Sequence, residues 1–126
     1  MLSVPAFAQK AERKNIKEGN KLYEKKKYTE SEISYRKALE VNKKSKEGSY
    51  NLGNALFKQN KTKEALEQYQ IALTQQPDPI KRSQILHNAG NGFMQAKDYS
   101  NAVASYRMSL RFNPNDDETR YNLAVA

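Results

Sequence analysis

Asparagine is the chemistry-bearing residue with the most regular placement in this chain: Asn20, Asn51, Asn54, Asn88, Asn91 and Asn122 recur along its 126 residues. A side-chain amide both donates and accepts, so a row of them can pair with the backbone of an extended peptide whatever its side chains. The other candidates make no reacting constellation. His87 is the single histidine and cysteine is absent, which excludes a multi-histidine or cysteine-based metal site, a disulfide and a thiol nucleophile. Gly90-Asn91-Gly92 sits within a helical pattern rather than after a strand, so it is no dinucleotide loop. Asp116-Asp117-Glu118 lacks the alternating spacing and glycine of a calcium loop, and helix capping accounts for it. The sequence therefore predicts a chain that is not an enzyme, with no cofactor, no metal and no small-molecule substrate.

The elements that must carry these amides are helices. From Tyr50 to Pro77 the chain reads as two short amphipathic segments joined by a polar turn at Asn60 to Thr62, with Gly53, Ala65 and Ala72 facing one another. A glycine inside a helix costs about 1 kcal/mol relative to alanine, so Gly53 implies a need for close helix contact. Gly19 to Gly53 is 34 residues and Gly53 to Gly90 is 37, one period and one period with an insertion of three. Such a period marks an all-α solenoid of stacked helical hairpins, because one hairpin cannot bury its apolar face alone.

Helices are expected over about 10–26, from a Thr29/Glu32 capping box onward, over 45–59 and 62–75, from the Asp78 cap to 96, and over 99–112. Pro77 and Pro114 close the second and third hairpins. The organisation is then a tail at 1–9, one domain over 10–126 with repeats near 12–45, 46–79 and 83–116, and a terminal helix at 117–126. Tyr121, Leu123 and Val125 leave that helix apolar, which makes self-association through it the alternative to a partner protein.

The formal charge of +8 is unevenly spread: residues 1–63 hold 16 lysines and arginines against 7 acids, and residues 64–126 hold 6 against 7. A basic half attracts acidic proteins, anionic lipid or nucleic acid at low salt. Nucleic acid is disfavoured, because Lys25 to Lys27 and Lys43 to Lys46 fall at turns and glutamates intersperse the helices. Ala6-Phe7-Ala8 has the small-x-small form of a signal-peptidase site, but a basic leader and apolar run do not fit before it, which leaves a truncated export signal or a disordered tail.

At Leu52-Gly53, Leu56, Ala65, Tyr69, Ala72 and Pro77 the sequence resembles the tetratricopeptide repeat family. The first repeat matches through Gly19, Leu22, Tyr28, Tyr35 and Ala38, with Ser31 and Lys43 as departures; the third matches through Gly90, Phe93, Tyr99, Ala102, Tyr106 and Pro114. The family's usual tryptophan is replaced by Asn15, Ser49 and Leu86. The resemblance implies a right-handed superhelical solenoid, used as a non-enzymatic interaction scaffold. More narrowly, GNKLYEKKKYTESEISYRKAL and NPNDDETRYNLAVA look like the exported repeat proteins of bacterial aerotolerance (Bat) operons. That implies a periplasmic adaptor beside von Willebrand A-type membrane proteins, with a cytoplasmic location as the alternative.

In this family ligands usually lie in the concave groove lined by the first helix of each repeat. Carried over residue by residue, the groove positions are Lys17, Asn20 and Tyr23; Tyr50, Asn51, Asn54, Phe57 and Lys58; His87, Asn88, Asn91 and Met94; and Tyr121 and Asn122. Chaperone-linked members grip a C-terminal carboxylate with two asparagines and three cations. Asn20 and Asn51 match the asparagines, but Ile16, Gln84 and Asn88 stand where the cations belong, so chaperone tails are disfavoured.

Overall fold

The computed structural model describes residues 5–126. Among them run seven α-helices: α1 (Ala6–Glu24), α2 (Tyr28–Val41), α3 (Lys46–Lys58), α4 (Thr62–Gln75), α5 (Pro79–Gln95), α6 (Tyr99–Phe112) and α7 (Asp117–Val125). No strand occurs among the described residues. α1 packs on α2, α3 on α4 and α5 on α6, while α2–α3, α4–α5 and α6–α7 contacts stack the pairs into the all-α solenoid that the period predicts.

Each hairpin turns in the same way. Lys26, Asn60 and Lys97 adopt φ of 61°, 63° and 60°, in the left-handed region. The amide after each donates back to Leu22, Leu56 and Phe93 carbonyls at 2.9, 3.0 and 2.8 Å, closing the helix end with the six-to-one bond of a Schellman turn. None of the three is glycine, so each turn carries a backbone cost that glycine would relieve.

Two local expectations need correction. Thr29 and Glu32 do not form a capping box: the turn at Lys26 starts α2 at Tyr28, leaving Thr29 inside the first turn and Lys27 at the cap without a side-chain bond. And α1 begins at Ala6 rather than near Lys10, directly after Pro5, which has φ −57° and ψ 151°. Ala6-Phe7-Ala8 therefore lies in its first turn, while Ser3 and Val4 fall outside the described residues. Elsewhere the caps match: Asp78 accepts from the Lys81 amide at 2.9 Å ahead of Pro79, and Asp116 accepts from the Thr119 amide at 3.2 Å.

The core is a column of tyrosines and small residues. Tyr35, Tyr69 and Tyr106 are 2%, 1% and 1% exposed, with Leu52, Leu56, Ala65 and Ala72 fully buried around the middle one. Each ring fills the space that a glycine leaves on the facing helix. A β-carbon on Gly19, Gly53 or Gly90 would fall 2.4, 2.6 or 2.3 Å from Cε1 of Tyr35, Tyr69 or Tyr106. Gly53 thus makes room for the Tyr69 ring rather than for the alanines.

The two joins between hairpins share a threonine-to-glutamine bond, Thr29 to Gln59 and Thr62 to Gln95, and differ beside it. At the first, the Glu32 carboxylate accepts from Arg36 Nε, Gln59 Nε2 and Lys61 Nζ at 2.8, 2.9 and 3.2 Å. At the second, Leu66 and Ala96 take the places of Glu32 and Gln59, and an apolar recess of about 550 Å³ opens between α4 and α6, lined also by Leu73, Leu86 and Phe93. The insertion of three lengthens the start of α5, which is held down by Arg82, whose Nη1 donates to the Leu73 and Gln76 carbonyls at 2.6 and 2.8 Å. Its guanidinium lies 5.2 Å from the Phe112 ring centroid.

Candidate peptide-binding groove

The glycine-tyrosine contact places an asparagine one residue on in each repeat. Asn20, Asn54 and Asn91 follow Gly19, Gly53 and Gly90, so their amides emerge beside the tyrosine hydroxyls. Tyr35, Tyr69 and Tyr106 donate to their Oδ1 atoms at 2.7, 2.6 and 2.6 Å. Burial is the main cause that raises the pKa of each phenol above its ordinary value, so all three stay protonated and donate across the ordinary pH range.

A second set of amides ties successive repeats to the first. Asn51 Nδ2 donates to Asn20 Oδ1 at 3.1 Å, Asn88 Nδ2 to Asn54 Oδ1 at 3.0 Å, and Asn122 Nδ2 to Asn91 Oδ1 at 3.3 Å. Lys17 holds the corresponding place in the first repeat. Each Oδ1 of Asn20, Asn54 and Asn91 therefore accepts twice. Left over, with no protein partner among the described residues, are the Nδ2 donors of Asn20 and Asn91 and the Oδ1 acceptors of Asn51, Asn88 and Asn122, while Asn54 Nδ2 engages the Tyr50 hydroxyl. The ladder is at once a seam and a row of alternating donors and acceptors.

The recesses along the row are small and polar. One of about 200 Å³ is lined by Asn20, Tyr23, Glu24, Asn51 and Asn54. A second, of about 230 Å³, brings Asn20, Tyr50 and Asn51 together with Lys46, Gln76 and Lys81. The last three were not among the carried-over positions: Lys46 and Lys81 lie in the first turns of α3 and α5, and Gln76 caps the end of α4. Ile16, at the place of a chaperone-binding cation, is buried at 4% exposure.

The remaining candidates divide. Tyr50 is half-buried, its hydroxyl accepting from Asn88 Nδ2 at 2.9 Å and its ring 6.0 Å from that of Tyr69. Burial raises its ionisation above the ordinary value despite an opposing hydrogen bond from Asn54. Tyr23 packs edge-on to Tyr28 at 5.2 Å, and Phe57 packs half-buried against the core. Met94 is half-buried and Lys58 exposed. Tyr121 is 70% exposed on α7. Lys17 is exposed and lines a surface crevice with the other α1 cations instead of the recesses around Asn20.

His87 is engaged within the fold. Its Nδ1 meets Thr119 Oγ1 at 2.6 Å, and Thr119 Oγ1 donates to Asp116 Oδ2 at 2.6 Å. Since the hydroxyl hydrogen goes to Asp116, Nδ1 is the donor in the first bond, and Thr119 is a buried link rather than an activated nucleophile. Burial raises the Asp116 carboxyl, but the Thr119 side-chain and backbone bonds outweigh it and hold the carboxyl below its ordinary value. The chain of bonds fastens α7 onto α5. No group of three or more histidines, cysteines or acids that could hold a metal occurs among the described residues.

Comparison with known proteins agrees with this geometry. Family profiles described as "TPR repeat" and "Tetratricopeptide repeat" match residues 19–60 and 47–79. The photosystem I assembly protein Ycf3 of Synechococcus elongatus is 40% identical over 91 residues, which cover 71% of this chain and 53% of that protein. The chain thus spans about half the length of these curated relatives. Among solved structures, the Arabidopsis OM64 repeat domain superposes with a TM-score of 0.88 at 17% identity, covering 94% of this chain and 95% of that one. The first repeat domain of Spaghetti (RPAP3), bound to an HSP90 peptide, gives 0.86 at 21% identity, covering 94% and 90%. At these identities the likeness is one of fold.

Proposed function

This chain carries tetratricopeptide repeats, and from that premise we propose that it is an interaction scaffold that holds an extended segment of a partner protein along its concave asparagine row. The observation that carries the reading is the alternation of unused Nδ2 donors on Asn20 and Asn91, with the Tyr50-engaged Asn54 between them, and unused Oδ1 acceptors on Asn51, Asn88 and Asn122. An extended backbone offers the complementary alternation, and its pairing needs no particular side chain. Tyr50 and Tyr23, half-buried beside the row, supply apolar surface of the kind that dominates interface energies.

The ligand differs in character from a chaperone tail. A buried Ile16 and the neutral Gln84 and Asn88 cannot grip a terminal carboxylate as three cations would. The setting we favour is a periplasmic complex of the aerotolerance type with von Willebrand A-type membrane proteins as partners, a reading that rests on the sequence resemblance and on Ala6-Phe7-Ala8. Self-association through α7 is the second reading, favoured by the exposure of Tyr121 at 70% and Val125 at 60%. Light scattering with Tyr121→Ser separates them: a variant that loses an oligomer supports self-association, and a monomer throughout supports adaptor use.

Selection of peptides from a random display library, first against this chain and then against an Asn51→Ala/Asn88→Ala variant, tests the groove. Peptides retained by the first and released by the second support the reading. Peptides retained equally by both place binding elsewhere.

A further inference from the structure

One face of α1 belongs neither to the groove nor to the core. At 3.6 residues per turn, Phe7, Lys10, Lys14, Lys17 and Lys21 fall within about 80° of one another around the helix. Ile16 and Gly19, the buried residues of α1, lie on the opposite side. The stripe points away from the body of the molecule, and all five of its residues are exposed, Phe7 at 79%. From Lys10 to Lys21 it runs about 16 Å.

None of its four lysines has an ion-pair partner within 4.0 Å among the described residues; the five ion pairs found there all lie elsewhere. Glu18 and Glu24 border the stripe without pairing to it. The surface between the cations is an open crevice lined by Lys10, Arg13, Lys14, Lys17, Glu18 and Lys21, whose apolar wall is made of the aliphatic stems of these charged side chains, with no apolar residue among them. A folded or extended protein ligand would find charge there but no anchor. A bilayer needs no pocket: its anionic headgroups take the lysines, and its interfacial zone takes an exposed aromatic ring at the same level.

We infer that the outer face of α1 docks on an anionic lipid surface, with Lys10, Lys14, Lys17 and Lys21 on the headgroups and Phe7 at the interface, which leaves the concave groove open for a protein segment. The lysines all follow Ala8, so trimming at the Ala6-Phe7-Ala8 motif would remove the ring and keep the charges. Cations near such a surface each strengthen attachment roughly fivefold at physiological salt, so several together make a weak, reversible contact.

Cosedimentation of the chain with phosphatidylglycerol/phosphatidylcholine vesicles, against vesicles of phosphatidylcholine alone, is the test. Preference for the anionic vesicles is expected, falling as salt is raised and the screening length shrinks. Lys10→Glu/Lys14→Glu/Lys21→Glu should lower that binding by about 100-fold or more, with the α-helical circular dichroism and the peptide capture of the groove unchanged. The corresponding lysine-to-glutamine variant, which removes charge without reversing it, should lose less and serves if the reversal perturbs α1. Phe7→Ser should weaken binding less than either. Equal sedimentation with both vesicles, or full binding by a folded glutamate or glutamine variant, overturns the inference. So does retention on polyglutamate without vesicle preference, which points to an acidic protein instead.

Discussion

Tyr69 lies against Gly53 so closely that a β-carbon on the glycine would sit 2.6 Å from its Cε1, while its hydroxyl donates to the neighbouring Asn54 at 2.6 Å. Packing and polarity are thus set by one ring, and the same unit recurs at Gly19/Tyr35 and Gly90/Tyr106. Gly53→Leu should lower stability by about 3 kcal/mol or more, because the ring is 1% exposed and cannot swing aside. Gly53→Ala should cost less, since about 1 kcal/mol of helix propensity offsets part of the clash. Urea unfolding of both variants checks the order; a stable leucine variant would contradict the packing assignment.

Asn54 has structural as well as binding work, and its removal should show both. Asn54→Ala leaves the Tyr69 hydroxyl without its acceptor and removes one of the two bonds of Asn88 Nδ2, the other being to Tyr50, at a cost of about 1–3 kcal/mol. In a double-mutant cycle with Tyr69→Phe the two losses should be clearly less than additive. Asn51→Ala, which gives up one exposed bond to Asn20, should cost well under 1 kcal/mol and is the cleaner probe of binding.

Glycine at the hairpin turns should stabilise the chain. Lys26→Gly and Lys97→Gly each relieve a left-handed residue whose side chain is exposed, and each should raise stability by about 0.5–1 kcal/mol. Thermal melts of the single and double variants test this, with near-additive shifts expected for turns this far apart.

Acid should loosen the first join before the second. Burial alone would raise the Glu32 carboxyl, but hydrogen bonds from Arg36, Gln59 and Lys61 outweigh it and hold the group below its ordinary value of 4.5. A group lowered on folding stabilises the chain above its unfolded value and loses that contribution as pH falls through the lower, folded value. Melting temperature should therefore decline on acidification below about pH 4.5, and Glu32→Gln should decline less steeply over that window. Identical slopes would show that the carboxylate does not contribute.

Much of this architecture was legible in the sequence because it repeats. The 34-residue spacing of Gly19 and Gly53, Asp78 ahead of Pro79, and the terminating Pro77 and Pro114 each act locally, so pattern alone located the hairpins. What escaped was set by tertiary context. Thr29 and Glu32 read as a capping box, yet a left-handed Lys26, invisible to composition, moved the helix start and freed Glu32 to bridge repeats. Arg82 gave no periodic signal for its role in pinning the insertion. In the groove, type and spacing marked the asparagines, but only the fold reveals which half of each amide is already used. Lys17 shared a groove position by alignment but lines the outer crevice of α1 instead.

The most direct measurement is the side-chain amide spectrum of the asparagines, recorded with and without a display-selected peptide. The Nδ2 resonances of Asn20, Asn54 and Asn91 should shift on binding, those of Asn20 and Asn91 because the fold leaves these donors unused and that of Asn54 because the peptide competes with the Tyr50 hydroxyl for it. Asn51→Ala/Asn88→Ala should weaken the peptide at least about tenfold, with Asn51→Ala alone weakening it at little change in melting. Unchanged amide resonances at all three, with shifts confined to α7 or to the outer face of α1, would contradict the groove reading.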